Sequence, residues 1–323
     1  MQSQALSPRL KTGNNLVVLA TSNYSSAKHL IRVLVDNMVK YIIVPDEVPD
    51  GWQFRANGSL SSLPPIPRGN GKYYRLERTG ETTCPFFPRT TNVPEEIDSI
   101  TDPNVHHDIQ INYAELQKVP SRIQKWSDSH NKHFTERTTA VTHPSFKNDM
   151  VMRIVEFPES LWKPEVNSPG GRRLTLTERM TTEFLIQQRA ASRGLAPEIT
   201  GLVTEAGRGI IGFLSEFVHD GKSVRDYWTS RGKQELDDQD IEACLQLAKG
   251  LARLNIYHGD LTPSNLIRRD DGTVLAIDFE FATDSSSLKD GSARQEDEFN
   301  DLRLMLIRNT LASGDSSSDE ALQ

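Results

Sequence analysis

Three side chains in the stretch Tyr257 to Phe281, YHGDLTPSNLIRRDDGTVLAIDFEF, carry the chemistry that the chain displays most clearly. Asp260 and Asn265 stand five residues apart, and Asp278 follows thirteen residues later. A carboxylate in a loop can orient a hydroxyl and take its proton. An amide oxygen and a second carboxylate are hard oxygen donors suited to Mg²⁺. Together these are the parts of a phosphoryl-transfer site, where positioning and charge neutralisation do most of the catalytic work. The bland alternative is a polar turn before an ordinary buried strand. It gives no reason for three metal-competent groups at these intervals.

The neighbouring residues predict how the three are positioned. Gly259 and Pro263 keep the Asp260–Asn265 segment from being a regular helix. Arg269-Asp270-Asp271-Gly272 is a hairpin signal, and the apolar run Val274 to Ile277 is a strand ending at Asp278. Upstream, Met150 to Phe157 (MVMRIVEF) has the apolar run of a buried strand, with Arg153 as its basic residue. From Thr177 to Arg193 the spacing of Met180, Phe184, Leu185 and Ala191 predicts a helix capped by Thr177 and closed by Gly194. Glu183 lies on it. Ile210 to Val218 reads as another strand, and Asp237 or Asp238 caps a helix running to about Asn255. Its apolar face is Ile241, Cys244, Leu245, Ala248, Leu251 and Ala252. A last helix is expected from Phe299 to Leu311 after a polar loop.

HGDLTPSN followed by IDFE resembles the catalytic loop and metal-binding motif of the protein-kinase-like superfamily, which includes aminoglycoside and choline phosphotransferases. EFPESLWKPEVN, the helix ending in GLAPEI, HGDLTPSN and QEDEFNDLRLM together look similar to the KEOPS-complex atypical kinase, a RIO-related family working alongside tRNA modification. The likeness covers about residues 150 to 310. It implies an α+β, two-lobed kinase-like fold with a minimal C-lobe and an accessory N-terminal segment. It also implies ATP and Mg²⁺. Asp260 would be the catalytic base, Asn265 and Asp278 the metal ligands, and Asp301 a structural acid holding the catalytic loop. Arg153, Glu183, Glu216, Val218 and Asn265 would contact the nucleotide: Arg153 with Glu183 at the phosphates, Glu216 to Val218 at the adenine through backbone groups. His258 is expected to pack rather than react.

Departures from the pattern are specific. The strand lysine is replaced by Arg153, and Arg and Lys are not equivalent phosphate ligands. Either Arg153 stands in for the lysine or the pocket is altered. No glycine occurs between Gly80 and Gly170, so the glycine-rich phosphate-covering loop is missing from its place. Glu280 stands where the atypical kinase has Gly, as in the small-molecule phosphotransferases. Three readings therefore stay open: an ATP- and Mg-dependent phosphotransferase acting on a protein or small-molecule hydroxyl; a kinase-shaped scaffold in a protein complex; and a tRNA-dependent acyl transferase of the fungal arginine-containing cyclodipeptide synthase type.

Composition bounds the rest. The 323 residues carry 37 Lys+Arg against 44 Asp+Glu, a net charge of −7, which argues against a broad nucleic-acid-binding surface. No stretch approaches the ~20 apolar residues of a membrane span, so no membrane partner is expected and the compartment reads as cytosolic or nuclear. Two cysteines, Cys84 and Cys244, exclude a disulfide framework. The expected division is an accessory region over 1–107, an N-lobe over 108–220, a C-lobe over 221–312 and a disordered tail over 313–323. Within the first region, Leu16 to Ala20 reads as a strand, Ser25 to Val39 as a helix and Tyr41 to Val44 as a second strand. Gly69, Gly71 and Lys72 read as a hairpin turn before a phosphate cradle. His130, His133 and His143 match no zinc spacing.

Overall fold

The computed structural model describes residues 11–12, 16–25, 28–35, 38–45, 73–75, 99–119, 138–155, 175–205, 209–230 and 237–311. The Gly69–Lys72 turn, His130, His133, the segment EFPESLWKPEVN and the tail lie outside the described residues. The architecture is mixed α and β. Among the described residues no helix is long and apolar enough to cross a membrane.

A five-stranded sheet opens the chain: β1 (Lys11–Thr12), β2 (Leu16–Ser25), β3 (Lys28–Val35), β4 (Met38–Pro45) and β5 (Tyr73–Arg75), in that spatial order. The helix expected over Ser25–Val39 is therefore corrected to strand. The physical reason lies in Ile31, Val33 and Val35, β-branched residues at a period of two, where β propensity and one-sided burial outweigh the helical spacing. Val33 and Val35 are buried. The Tyr41 hydroxyl donates to the Glu205 carboxylate, which fastens β4 to the second sheet.

That second sheet contains β6 (Gln110–Asn112), β7 (Gln117–Lys118), β8 (Thr138–Thr142), β9 (Met150–Ile154), β10 (Ile199–Glu205) and β11 (Gly209–Glu216). Its order is β6-β10-β11-β9-β8-β7, antiparallel except for the β6–β10 pair. In the β9–β11 pairing, Arg153 faces Phe213 and Met150 faces Glu216. Gly212 makes this close pairing feasible. A Cβ there would stand 2.0 Å from the Arg153 carbonyl oxygen, so no larger residue fits without moving β9.

Helix α1 (Leu176–Ala191) connects β9 to β10 and belongs to two cores. Met180 and Phe184 pack with Leu202 and Phe213 under the sheet, the Phe184 and Phe213 rings edge to face at 5.6 Å. One to two turns later, Ile186 and Ala190 join the following core. The cap is Thr175, not the expected Thr177. Thr175 accepts from the Glu178 N–H while the Glu178 carboxylate accepts from the Thr175 N–H, a complete capping box. Gly194 closes the helix end at φ 68°.

The following core is built by α2 (Val224–Ser230), α3 (Asp238–Arg253) and α4 (Gly291–Leu311) around a three-stranded sheet in the order β12 (Gly221–Ser223), β14 (Leu266–Arg269), β15 (Val274–Ala276). A two-stranded ribbon, β13 (Ile256–Tyr257) with β16 (Thr283–Asp284), brackets the functional stretch. Cys244, Leu247, Leu251, Leu266, Phe279 and Leu302 are buried together at its centre. The Asp237 side chain caps α3 by accepting from Asp240 N–H. The last helix begins at Gly291, eight residues before the expected Phe299, so the acidic run Gln295–Glu298 is helical rather than loop.

Candidate functional site

The loop after β13 is held by its own backbone. Asn265, 1% exposed, donates from Nδ2 to the Asp260 carboxylate (Oδ2) and to the Asp260 carbonyl oxygen, both at 2.8 Å. Thr262 N–H returns to the Asp260 carbonyl at 3.0 Å, and Asn265 N–H to the Thr262 carbonyl at 2.9 Å. These contacts close a tight turn that fixes the angle of the Asp260 carboxylate. They also fix the Asn265 amide, since its nitrogen is the atom turned to Asp260.

Asp278 is tied to the same loop through the residue before it. Ile277 N–H donates to the Asn265 carbonyl at 2.9 Å, and the Ile277 carbonyl accepts from His258 Nε2 at 3.0 Å. Asp278 itself adopts φ 68°, ψ 60°, a left-handed conformation uncommon for a residue with a side chain. Such local strain, of order 1–3 kcal/mol, persists where the surroundings over-determine it. The two hydrogen bonds on Ile277 supply that constraint. His258 is fully buried beside the Phe279 ring. Burial lowers its pKa, outweighing the opposite pull of Asp278 and Asp260, so its ring is neutral with the proton on Nε2. As expected from the sequence, it packs.

The opposite wall comes from β9 and α1. Arg153 Nη1 donates to the Glu183 carboxylate and, at 3.0 Å, to Asp278 Oδ1. Arg153 is 8% exposed and Glu183 fully buried, whereas the Asp278 side chain keeps 30% exposure. Burial pulls the Arg153 pKa down, but Glu183, Asp278 and Glu280 more than offset that, and the guanidinium stays charged. The expected Arg153–Glu183 pair is thus formed, and it includes Asp278. Asp260, Asn265, Asp278, Arg153 and Glu183 make one connected set.

Glu216 and Val218 are placed apart from that set. Glu216 lies three residues along β11 from the partner of Arg153, about 10 Å at strand rise. Its N–H donates to the Glu198 carbonyl at 2.8 Å, and its carboxylate accepts from Arg269 Nη2 at 2.7 Å. Val218 is buried with Ile267, Leu275 and Ile277, an apolar patch on the β14–β15 hairpin.

One residue here escaped the sequence reading. Glu298, on α4, accepts from His258 N–H at 3.1 Å and Gly259 N–H at 2.6 Å, and from Leu261 N–H as well. It holds the His258–Leu261 loop in the way expected of Asp301, which instead is exposed. Burial raises the Glu298 pKa, and the Asp260 charge adds to that despite the three N–H donors. The early start of α4 carries the signal: it moves Glu298 into helix, one turn before Asp301. Gly259 lets the loop pass, at φ 82°, where a Cβ would stand 2.5 Å from the Phe281 carbonyl oxygen.

Among the described residues no three His, Cys, Asp or Glu side chains gather as a metal cluster. The donor set at this site is two carboxylates and an amide, whose hard oxygens fit Mg²⁺ rather than a soft metal. No family model matches the chain, and no curated protein matches it either.

Proposed function

We propose that this chain is an ATP- and Mg²⁺-dependent phosphotransferase on a two-lobed, protein-kinase-like fold, acting on a hydroxyl of a protein or small molecule. The N-lobe spans 108–220 and the minimal C-lobe 221–312. One observation carries the reading: a strand-borne cation, Arg153, joins a helix-borne acid, Glu183, to Asp278 at the end of the hairpin. Strand cation paired to helix acid, with a loop acid at the metal, is the arrangement that kinases need in place for transfer. Arg153 is the answer to the missing lysine in this reading.

Asp260 orients the acceptor hydroxyl and takes its proton as the oxygen attacks the terminal phosphorus. The bond from phosphorus to the bridging oxygen breaks, and its electron pair leaves on the nucleoside diphosphate. Asn265 fixes the Asp260 carboxylate and, with Asp278, would hold the metal. Bound Mg²⁺ supplies charge neutralisation on the phosphoryl oxygens. Arg153 steadies the phosphates from the β9 side. The apolar cluster of Val218, Ile267, Leu275 and Ile277 offers a floor for the base.

The test is transfer itself. Labelled ATP is incubated with the protein alone and with pooled small-molecule and protein acceptors. Wild type is expected to transfer label, and D260N to lose about 10²-fold or more of that activity. Equal transfer by D260N would remove Asp260 from the mechanism. The scaffold reading draws on a different observation, that Asp278 is already engaged by Arg153. A protein that ignores nucleotide at millimolar concentration fits that reading.

A further inference from the structure

We propose that Arg153 is the resident counter-ion of Asp278, and that a divalent cation enters the site by displacing it from that carboxylate. The inference rests on the phosphotransferase reading and concerns how its site is loaded.

Arg153 makes both of its ion pairs from one nitrogen, Nη1. The two ends of this bridge differ. Glu183 is fully buried and has nowhere to go, whereas Asp278 is 30% exposed in its side chain. Leaving the buried carboxylate uncompensated is costly, and leaving the half-exposed one is not, because water and an incoming cation can replace the guanidinium there. The exchangeable end of the bridge is therefore the metal-ligand end.

The charges favour entry of a cation before a polyanion. Around the single positive charge of Arg153 stand Glu183, Asp278 and Glu280, and Asp260 lies on the facing loop. Among the described residues His258, the other basic group against this loop, is neutral. Summed over these described groups, the charge that a polyphosphate meets on approaching the metal-free site is net negative. Once a cation takes Asp278, the second Nη1 proton of Arg153 is released to the phosphate oxygens. A planar guanidinium can hold Glu183 with one N–H while offering others, which a lysine ammonium on a single nitrogen does less well. The substitution of Lys by Arg at this position thereby acquires a purpose: one group serves as internal counter-ion and then as phosphate ligand.

Competition for one carboxylate gives an unusual signature, because a residue that is not a metal ligand then weakens metal binding. Removing Glu183 alone concentrates the guanidinium's attraction on Asp278. Removing the Arg153–Glu183 pair takes the competing guanidinium away from Asp278 and removes the buried Glu183 charge with it.

The experiment is titration of the full chain with Mn²⁺ in the absence of nucleotide, read as free Mn²⁺ by electron paramagnetic resonance, with folding checked by circular dichroism. Wild type, E183Q, R153Q/E183Q and D278N are compared. The double variant is expected to bind Mn²⁺ roughly tenfold tighter than wild type, the size of effect one close charge exerts. E183Q is expected to bind it several-fold more weakly, and D278N to lose the site. A folded double variant that binds Mn²⁺ no tighter than wild type, or not at all, overturns the proposal. Phosphate transfer by wild type alongside that result would leave the functional reading standing. The expected Mn²⁺ order in a protein that transfers no phosphate would support the displacement and overturn the function.

Discussion

The two walls of the site are built on opposite principles. The Asp260–Asn265–Asp278 wall lies within nineteen residues and is held by short-range hydrogen bonds, many of them to backbone. The Arg153–Glu183 wall brings a strand and a helix to a carboxylate that lies 125 residues after Arg153, through buried charge. A wall of local hydrogen bonds loses geometry by increments, each bond contributing roughly 0.5–1.5 kcal/mol net. A wall of buried charge fails at once, since removing one partner leaves the other uncompensated. The first wall should therefore tolerate substitution in stability and fail in chemistry, and the second should fail in both.

The sharpest way to expose that contrast is R153Q. It takes from the buried Glu183 carboxylate the guanidinium that faces it and should cost about 3–5 kcal/mol of stability. In R153Q/E183Q most of that loss should return, because no buried charge is then stranded. Urea denaturation midpoints of the two variants decide it. Equal midpoints would show that the buried pair contributes no coupling.

A smaller effect is expected from G259A in the local wall. The left-handed φ and the 2.5 Å approach to the Phe281 carbonyl oxygen leave no room for a methyl group. The cost should be of order 1–3 kcal/mol. Thermal unfolding would read it, and an unchanged midpoint would show that the loop relaxes freely.

The smallest effect is on a pH slope. His258 has a folded-state pKa below its ordinary value of 6.5, so the unfolded chain binds more protons between the two values. Its contribution to stability is full above the ordinary imidazole value and is lost as pH falls from there towards the lowered one. Glu298, on the same loop, runs the other way. Its raised pKa makes its contribution largest below the ordinary carboxylate value, and that contribution falls as pH rises towards the raised one. H258N should flatten the acid limb of stability just below pH 6.5 while leaving the Glu298 limb at lower pH in place. Unfolding free energies measured across pH 4 to 8 in both proteins would show it. A parallel offset without a change of slope would contradict the assignment.

The same contrast explains what could be read from the residues alone. The local wall was legible because its spacing, Gly259, Pro263 and the Asp-Gly turn all describe one short stretch. The helix bearing Glu183 was legible too, but its cap was not. Thr177 and Thr175 both precede the apolar positions, and only the Glu three residues after Thr175 completes a capping box. Glu298 was missed because Gly291 to Glu298 looks polar and loop-like, while in the fold it forms the opening turns of α4. The Ser25–Val39 segment misled by satisfying helical spacing and strand alternation together. Pairing with β2 and β4 decided it, and no local pattern reports a partner strand. The reach of Arg153 to Asp278 is likewise a property of packing.

Calorimetric titration with Mg-ADP tests most directly whether these two walls form one nucleotide site. Wild type and D260N should both bind with affinities within about threefold of each other, since the proposed role of Asp260 is on the acceptor, and D278N should lose binding. No heat of binding to the wild-type protein at millimolar nucleotide would contradict the account.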